Sequence, residues 1–106
     1  MEFDVENVKV SIKTAEEGKG YAIYSLFIEM PETQHHGFLM KRGEKIIAKG
    51  EIAKYLRDSK IDGLEMAAAP PADTNAVVTF RTNTEYDVLE KIARLVVEFL
   101  KSKEFL

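Results

Sequence analysis

Apolar and polar positions along the chain change period several times, and each change marks an element. Val8, Val10 and Ile12 alternate with Lys9, Ser11 and Lys13, the pattern of a strand with one wet face. Glu16-Glu17-Gly18-Lys19-Gly20 reads as a turn, because its glycines permit positive φ. From Tyr21 to Met30 apolar residues fall on both faces: Tyr21, Ile23 and Phe27 on one, Ala22, Tyr24, Leu26 and Ile28 on the other. This predicts a central strand, covered on both sides or paired with a partner. Pro31 ends it, since proline cannot donate to a ladder.

Gln34-His35-His36-Gly37 reads as a loop. Phe38-Leu39-Met40 and Lys45 to Ala48 form a short hairpin turning near Arg42-Gly43; a helix from Glu44 through Gly50 is the competing reading. Ile52, Ala53 and Leu56 share one side of a short amphipathic helix over Glu51 to Ser59. Asp62-Gly63 turns the chain into an edge strand, in which Leu64, Met66 and Ala68 alternate with Glu65 and Ala67. The two prolines of Ala69-Pro70-Pro71-Ala72-Asp73-Thr74 make a loop. Ala76 to Arg81 follows as a strand.

Thr82-Asn83-Thr84-Glu85 offers a capping box, repeated one register on by Thr84 with Asp87, and predicts a helix from Thr84 to about Lys103. On a wheel of about 100° per residue, Val88, Leu89, Ile92, Ala93, Leu95, Val96, Val97, Phe99 and Leu100 fill an arc of roughly 200°. A surface helix needs about 100° or somewhat more. The C-terminal helix therefore asks for a second neighbour besides a sheet: the helix 51–59, or the same helix of another subunit.

Together these elements predict an α+β fold, a two-layer sandwich. A mostly antiparallel sheet of about five or six strands carries a short middle helix and a long C-terminal helix on one face. A length of 106 residues fits one globular domain, 1–106, with a core of its own.

Composition narrows the chemistry more than it widens it. The chain has no cysteine, so a disulfide framework, a thiolate zinc site and a cysteine nucleophile are excluded. No apolar run reaches the ~18 residues of a membrane span, and the acidic start Met1-Glu2-Phe3-Asp4 is unlike a secretory signal. A cytoplasmic setting is expected. Gln34 is the only glutamine, asparagine occurs only at Asn7, Asn75 and Asn83, and charged residues make up 31%, a thermophile-like composition.

Charge is uneven. Residues 1–32 carry three basic and seven acidic side chains, net −4, and residues 61–106 carry five and eight, net −3. Residues 41–60 carry seven basic (Lys41, Arg42, Lys45, Lys49, Lys54, Arg57, Lys60) and three acidic, net +4. If Lys41, Arg42, Lys45, Lys49, Lys54 and Arg57 share a face, they would attract phosphates or an acidic protein surface, with Tyr55 adding stacking. The opposing reading is that they solvate a helix and a turn beside Glu44, Glu51 and Asp58.

His35 and His36 are the only imidazoles and candidates for a ligand-binding or enzyme site, or for a pH switch. Adjacent residues rarely aim at one metal, and no second pair stands at helical spacing, so neither metal nor cofactor is expected. The spacing of Gly37, Gly43 and Gly50 fits no phosphate loop, and no serine sits in a nucleophile elbow. What remains is an interaction module, non-enzymatic and self-associating as a homodimer. Anion or nucleic-acid binding through 41–60 is one alternative, and a small-ligand or enzyme site near His35 and His36 is the second.

Overall fold

The computed structural model describes residues 1–82 and 85–106, and its fold is the expected α+β sandwich. Among the described residues, eight strands divide into two antiparallel sheets. The larger contains β1 (Glu2–Val5), β2 (Val8–Gly18), β3 (Tyr21–Ile28), β7 (Leu64–Ala68) and β8 (Val78–Thr82), in the order β1-β2-β3-β8-β7. The smaller contains β4 (Thr33–His36), β5 (Leu39–Arg42) and β6 (Lys45–Ala48), in that order. Two helices, α1 (Lys49–Asp58) and α2 (Tyr86–Ser102), cover one face of the larger sheet.

The core lies between that face and the helices. β3 contributes Ala22, Tyr24, Leu26 and Ile28, and β8 contributes Val78 and Phe80; Tyr24 stacks on Phe80 at 5.6 Å. β3 occupies the middle of the sheet, as its doubly apolar pattern predicts. β7 forms an edge, as its alternation predicts.

The wide apolar arc of α2 is covered from within the chain. Leu89, Ile92, Ala93, Val96, Val97, Phe99 and Leu100 are all buried. β1 and β2 take one side of the arc and α1 takes the other, with Tyr55 and Phe99 in ring contact at 4.9 Å. The helix 51–59 is thus the second neighbour, and α2 leaves little apolar surface for another subunit. The capping box read at 82–85 falls on residues 83 and 84, outside the described residues, and α2 starts at Tyr86 after Glu85. At its other end Glu104 takes the left-handed conformation (φ 56°), and Phe105 N–H bonds back to Leu100 C=O at 2.9 Å. This turn of the chain drives Phe105 into the core.

Several local readings change. Glu2–Val5 is a strand, although its acidic start masked the inward pair Phe3 and Val5. Residues 16–18 continue β2 instead of turning, because a register shift between Thr14 and Glu16 absorbs the irregularity; the turn is Lys19-Gly20. Gln34-His35-His36 is not a loop but most of β4, paired with β5 through Gln34↔Lys41, His35↔Met40 and His36↔Leu39. Segment 44–50 divides between the two readings: 45–48 is strand and the helix begins at Lys49. Glu51 fixes that start, its carboxylate accepting from Ala48 N–H at 3.2 Å.

Candidate functional site

The small sheet positions most of the residues that the sequence marks for chemistry. Its two hairpins close with two-residue turns, Gly37-Phe38 and Gly43-Glu44. Both glycines sit at positive φ, 59° and 62°, at the first central position, where a residue with a Cβ is strained. The register then sorts the side chains. Thr33, His35, Met40, Arg42, Lys45 and Ile47 share the inward face, and Gln34, His36, Leu39, Lys41, Ile46 and Ala48 share the outward one.

Strand alternation therefore separates the two histidines. His36 points outward, its Nε2 3.2 Å from Gln34 Oε1. His35 points inward opposite Met40, and its Nδ1 is buried with no hydrogen-bond partner among the described residues. Burial, then the nearby Lys49 charge, holds the His35 imidazole below its usual pKa. Two rings on opposite faces cannot converge on one metal ion.

The basic segment does not form one face. Lys49 is fully buried, and its ammonium donates to Thr74 C=O at 3.1 Å, tying the start of α1 to the Pro-Pro loop. Burial pushes the Lys49 ammonium below its ordinary pKa. Arg42 Nη1 donates to Phe105 C=O at 2.9 Å. Arg57 Nη1 donates to Ala67 C=O of edge strand β7 at 2.7 Å. Lys45 pairs with Glu104 at 2.9 Å, which holds the Glu104 carboxyl below the usual carboxylate range. Lys54 pairs with Asp58 at 2.6 Å across one helical turn, lowering the Asp58 pKa. Among the described residues, Lys41 and Lys60 stand exposed without a hydrogen bond or ion pair, Lys41 on the outward face of the small sheet. Arg42, Lys45, Glu104 and Phe105 do border an open cleft of about 520 Å³, but both cations there are already bonded to the chain.

Two surfaces emerge that the candidate residues do not define. One is the far face of the large sheet, where Tyr21, Ile23 and Phe27 of β3 and Met66 of β7 lie half-buried. The doubly apolar pattern of β3 signalled it. The other is the outward face of the small sheet, carrying Phe38, Leu39 and Ile46 beside Lys41. Adjacent apolar residues at 38–40 and 46–47 left its orientation open in sequence, because either member of each set could have faced the core.

No cluster of three or more potential metal ligands occurs among the described residues, and no described helix is long and apolar enough to cross a membrane. Comparison with family models, curated proteins and solved structures finds no match for the chain.

Proposed function

We propose that the protein is a non-enzymatic interaction module that self-associates through the far face of its five-stranded sheet. One observation carries this reading: both helices lie on the other face, leaving Tyr21, Ile23, Phe27 and Met66 half-buried with no layer above them. Apolar surface of this kind gains about 25 cal/mol per Å² when removed from water.

The cations on this face lie over its aromatic rings. Lys13 lies over the Phe27 ring at 5.3 Å. Arg81 lies 4.7 Å from the Tyr21 ring centroid and pairs with Glu65 at 2.8 Å. Glu65 balances Arg81 inside the chain, and the Phe27 ring holds the Lys13 ammonium to one side without a carboxylate partner. Ser11, Ser25, Thr79 and Ala68 occupy adjoining positions on the face, and their small size permits the ~10 Å approach of stacked sheets. Five strands about 4.8 Å apart span roughly 24 Å, and the eight residues of β3 run about 27 Å, so the face offers at most roughly 650 Å², against the ~800 Å² per partner of a standard stable interface.

Sedimentation of the wild type and an Ile23→Glu/Phe27→Ser variant tests the reading. The wild type should sediment as a dimer at high micromolar concentration, and the variant as a monomer of unchanged circular dichroism. A monomeric wild type at that concentration removes the proposal. The anion-binding alternative has weaker support, since Arg42, Lys49 and Arg57 each donate to a main-chain carbonyl.

A further inference from the structure

We infer that the outward face of the three-stranded sheet is a second docking surface, for a protein segment presenting a carboxylate flanked by apolar side chains. Three large apolar residues stand in water on this one small sheet and its turn: Phe38 is 55% exposed, Leu39 44% and Ile46 60%. Their placement is set by the backbone. Gly37 turns the chain so that Phe38 occupies the tip of the β4–β5 hairpin, and Ile46 lies directly across from Lys41. Leu39 is two residues along β5 from Lys41, on the same face and about 7 Å away. The exposed ammonium is thus bordered by Leu39 and Ile46.

Charge identifies the occupant. The six outward side chains of the three strands include no carboxylate, in a chain with 18 acidic residues. Lys41 makes no ion pair among the described residues, unlike Lys45 and Lys54 in the same segment. An isologous second copy would bring a second Lys41 to the same centre, and like charges there oppose pairing. A carboxylate between apolar groups satisfies both the cation and its borders. Apolar contacts supply the affinity, and the Lys41 pair supplies register and selectivity.

Selection from a displayed library of random 12-residue peptides against the 106-residue chain tests this. The wild type should enrich peptides with one or two carboxylates among apolar residues. The enriched peptides should bind a Phe38→Ser/Ile46→Thr variant at least tenfold more weakly, and Lys41→Glu should shift the enriched charge from acidic to basic. Because these side chains are exposed, the variants should keep the wild-type urea midpoint. The inference is overturned if enrichment lacks acidic bias or survives the double variant. It is also overturned if the double variant abolishes self-association, which would make a second copy the occupant. Equal loss of binding to phosphatidylserine vesicles or to mixed RNA, without peptide enrichment, would reassign the face to a membrane or nucleic acid and overturn it likewise. Ile23→Glu/Phe27→Ser should leave peptide enrichment unchanged, which separates this surface from the self-association face.

Discussion

The two sheets solve the same burial problem in opposite ways. In the large sheet, one face is filled by Val10, Ile12, Leu26, Val78 and Phe80, and the polar residues turn away from it. In the small sheet, Met40 and Ile47 reach the core, but Thr33, His35, Arg42 and Lys45 share their side while Leu39 and Ile46 face water. A sheet of four-residue strands has two or so inward positions per strand, and here the chain end and Pro-Pro loop supply carbonyls to cations on that side. Alternation in short strands thus follows local bonding as much as burial, and apolar residues displaced outward become surface.

The largest expected effect lies in the layer that serves the large sheet. Leu100→Ala in α2 removes a fully buried side chain and should cost about 2–5 kcal/mol in urea unfolding. Ile46→Thr, also a shortened apolar side chain but exposed, should fall within about 0.5 kcal/mol. Comparable losses at the two positions would abolish the contrast between the sheets.

Lys49, the first residue of α1, tests the buried polar contacts beside the small sheet. A buried ammonium with one carbonyl partner carries a desolvation cost of several kcal/mol, against about 1–3 kcal/mol for orphaning Thr74 C=O. Lys49→Met should therefore gain about 1–2 kcal/mol near neutral pH. The gain should shrink at alkaline pH, where the native amine is already neutral. A loss of stability in Lys49→Met would mean that the latch to the loop outweighs burial of the charge.

His35 gives a pH signature to the same region. Its folded pKa lies below the ordinary value, so the unfolded chain takes the proton first. The stability this represents is complete above about pH 6.5 and is lost as pH falls through the folded value. His35→Gln should flatten that part of a pH series of urea midpoints; an unchanged slope would show that other groups carry it. The smallest effect is expected at the exposed Lys54–Asp58 pair, where Lys54→Gln should change stability by at most about 0.5 kcal/mol.

Much of this architecture was legible in the sequence where a pattern ran long enough. The arc of α2 called for two neighbours, and α1 proved to be one of them. β3 showed its central position by being apolar on both sides. The short strands were harder: His35-His36 carries no apolar alternation, so only pairing with β5 reveals a strand. The course of the basic segment was not legible, because sequence proximity says nothing about direction. Lys49 goes inward, Arg57 toward β7, Lys54 back along its own helix and Lys41 into solvent. Phe38, Leu39 and Ile46 escaped notice because a hairpin can fold with either face inward until its turn and register are known.

The contact from Arg57 to Ala67 bears on assembly as well as on the fate of one cation. β7 is an edge, and an edge offers unpaired main-chain groups to any other strand. A guanidinium held on the Ala67 carbonyl occupies one of those acceptors and sets a charge beside the strand, so growth of the sheet edge to edge is discouraged there. Replacing Arg57 with an apolar residue would remove a gatekeeper, and the consequence would be read as fibre formation on prolonged incubation more than as a lower melting temperature.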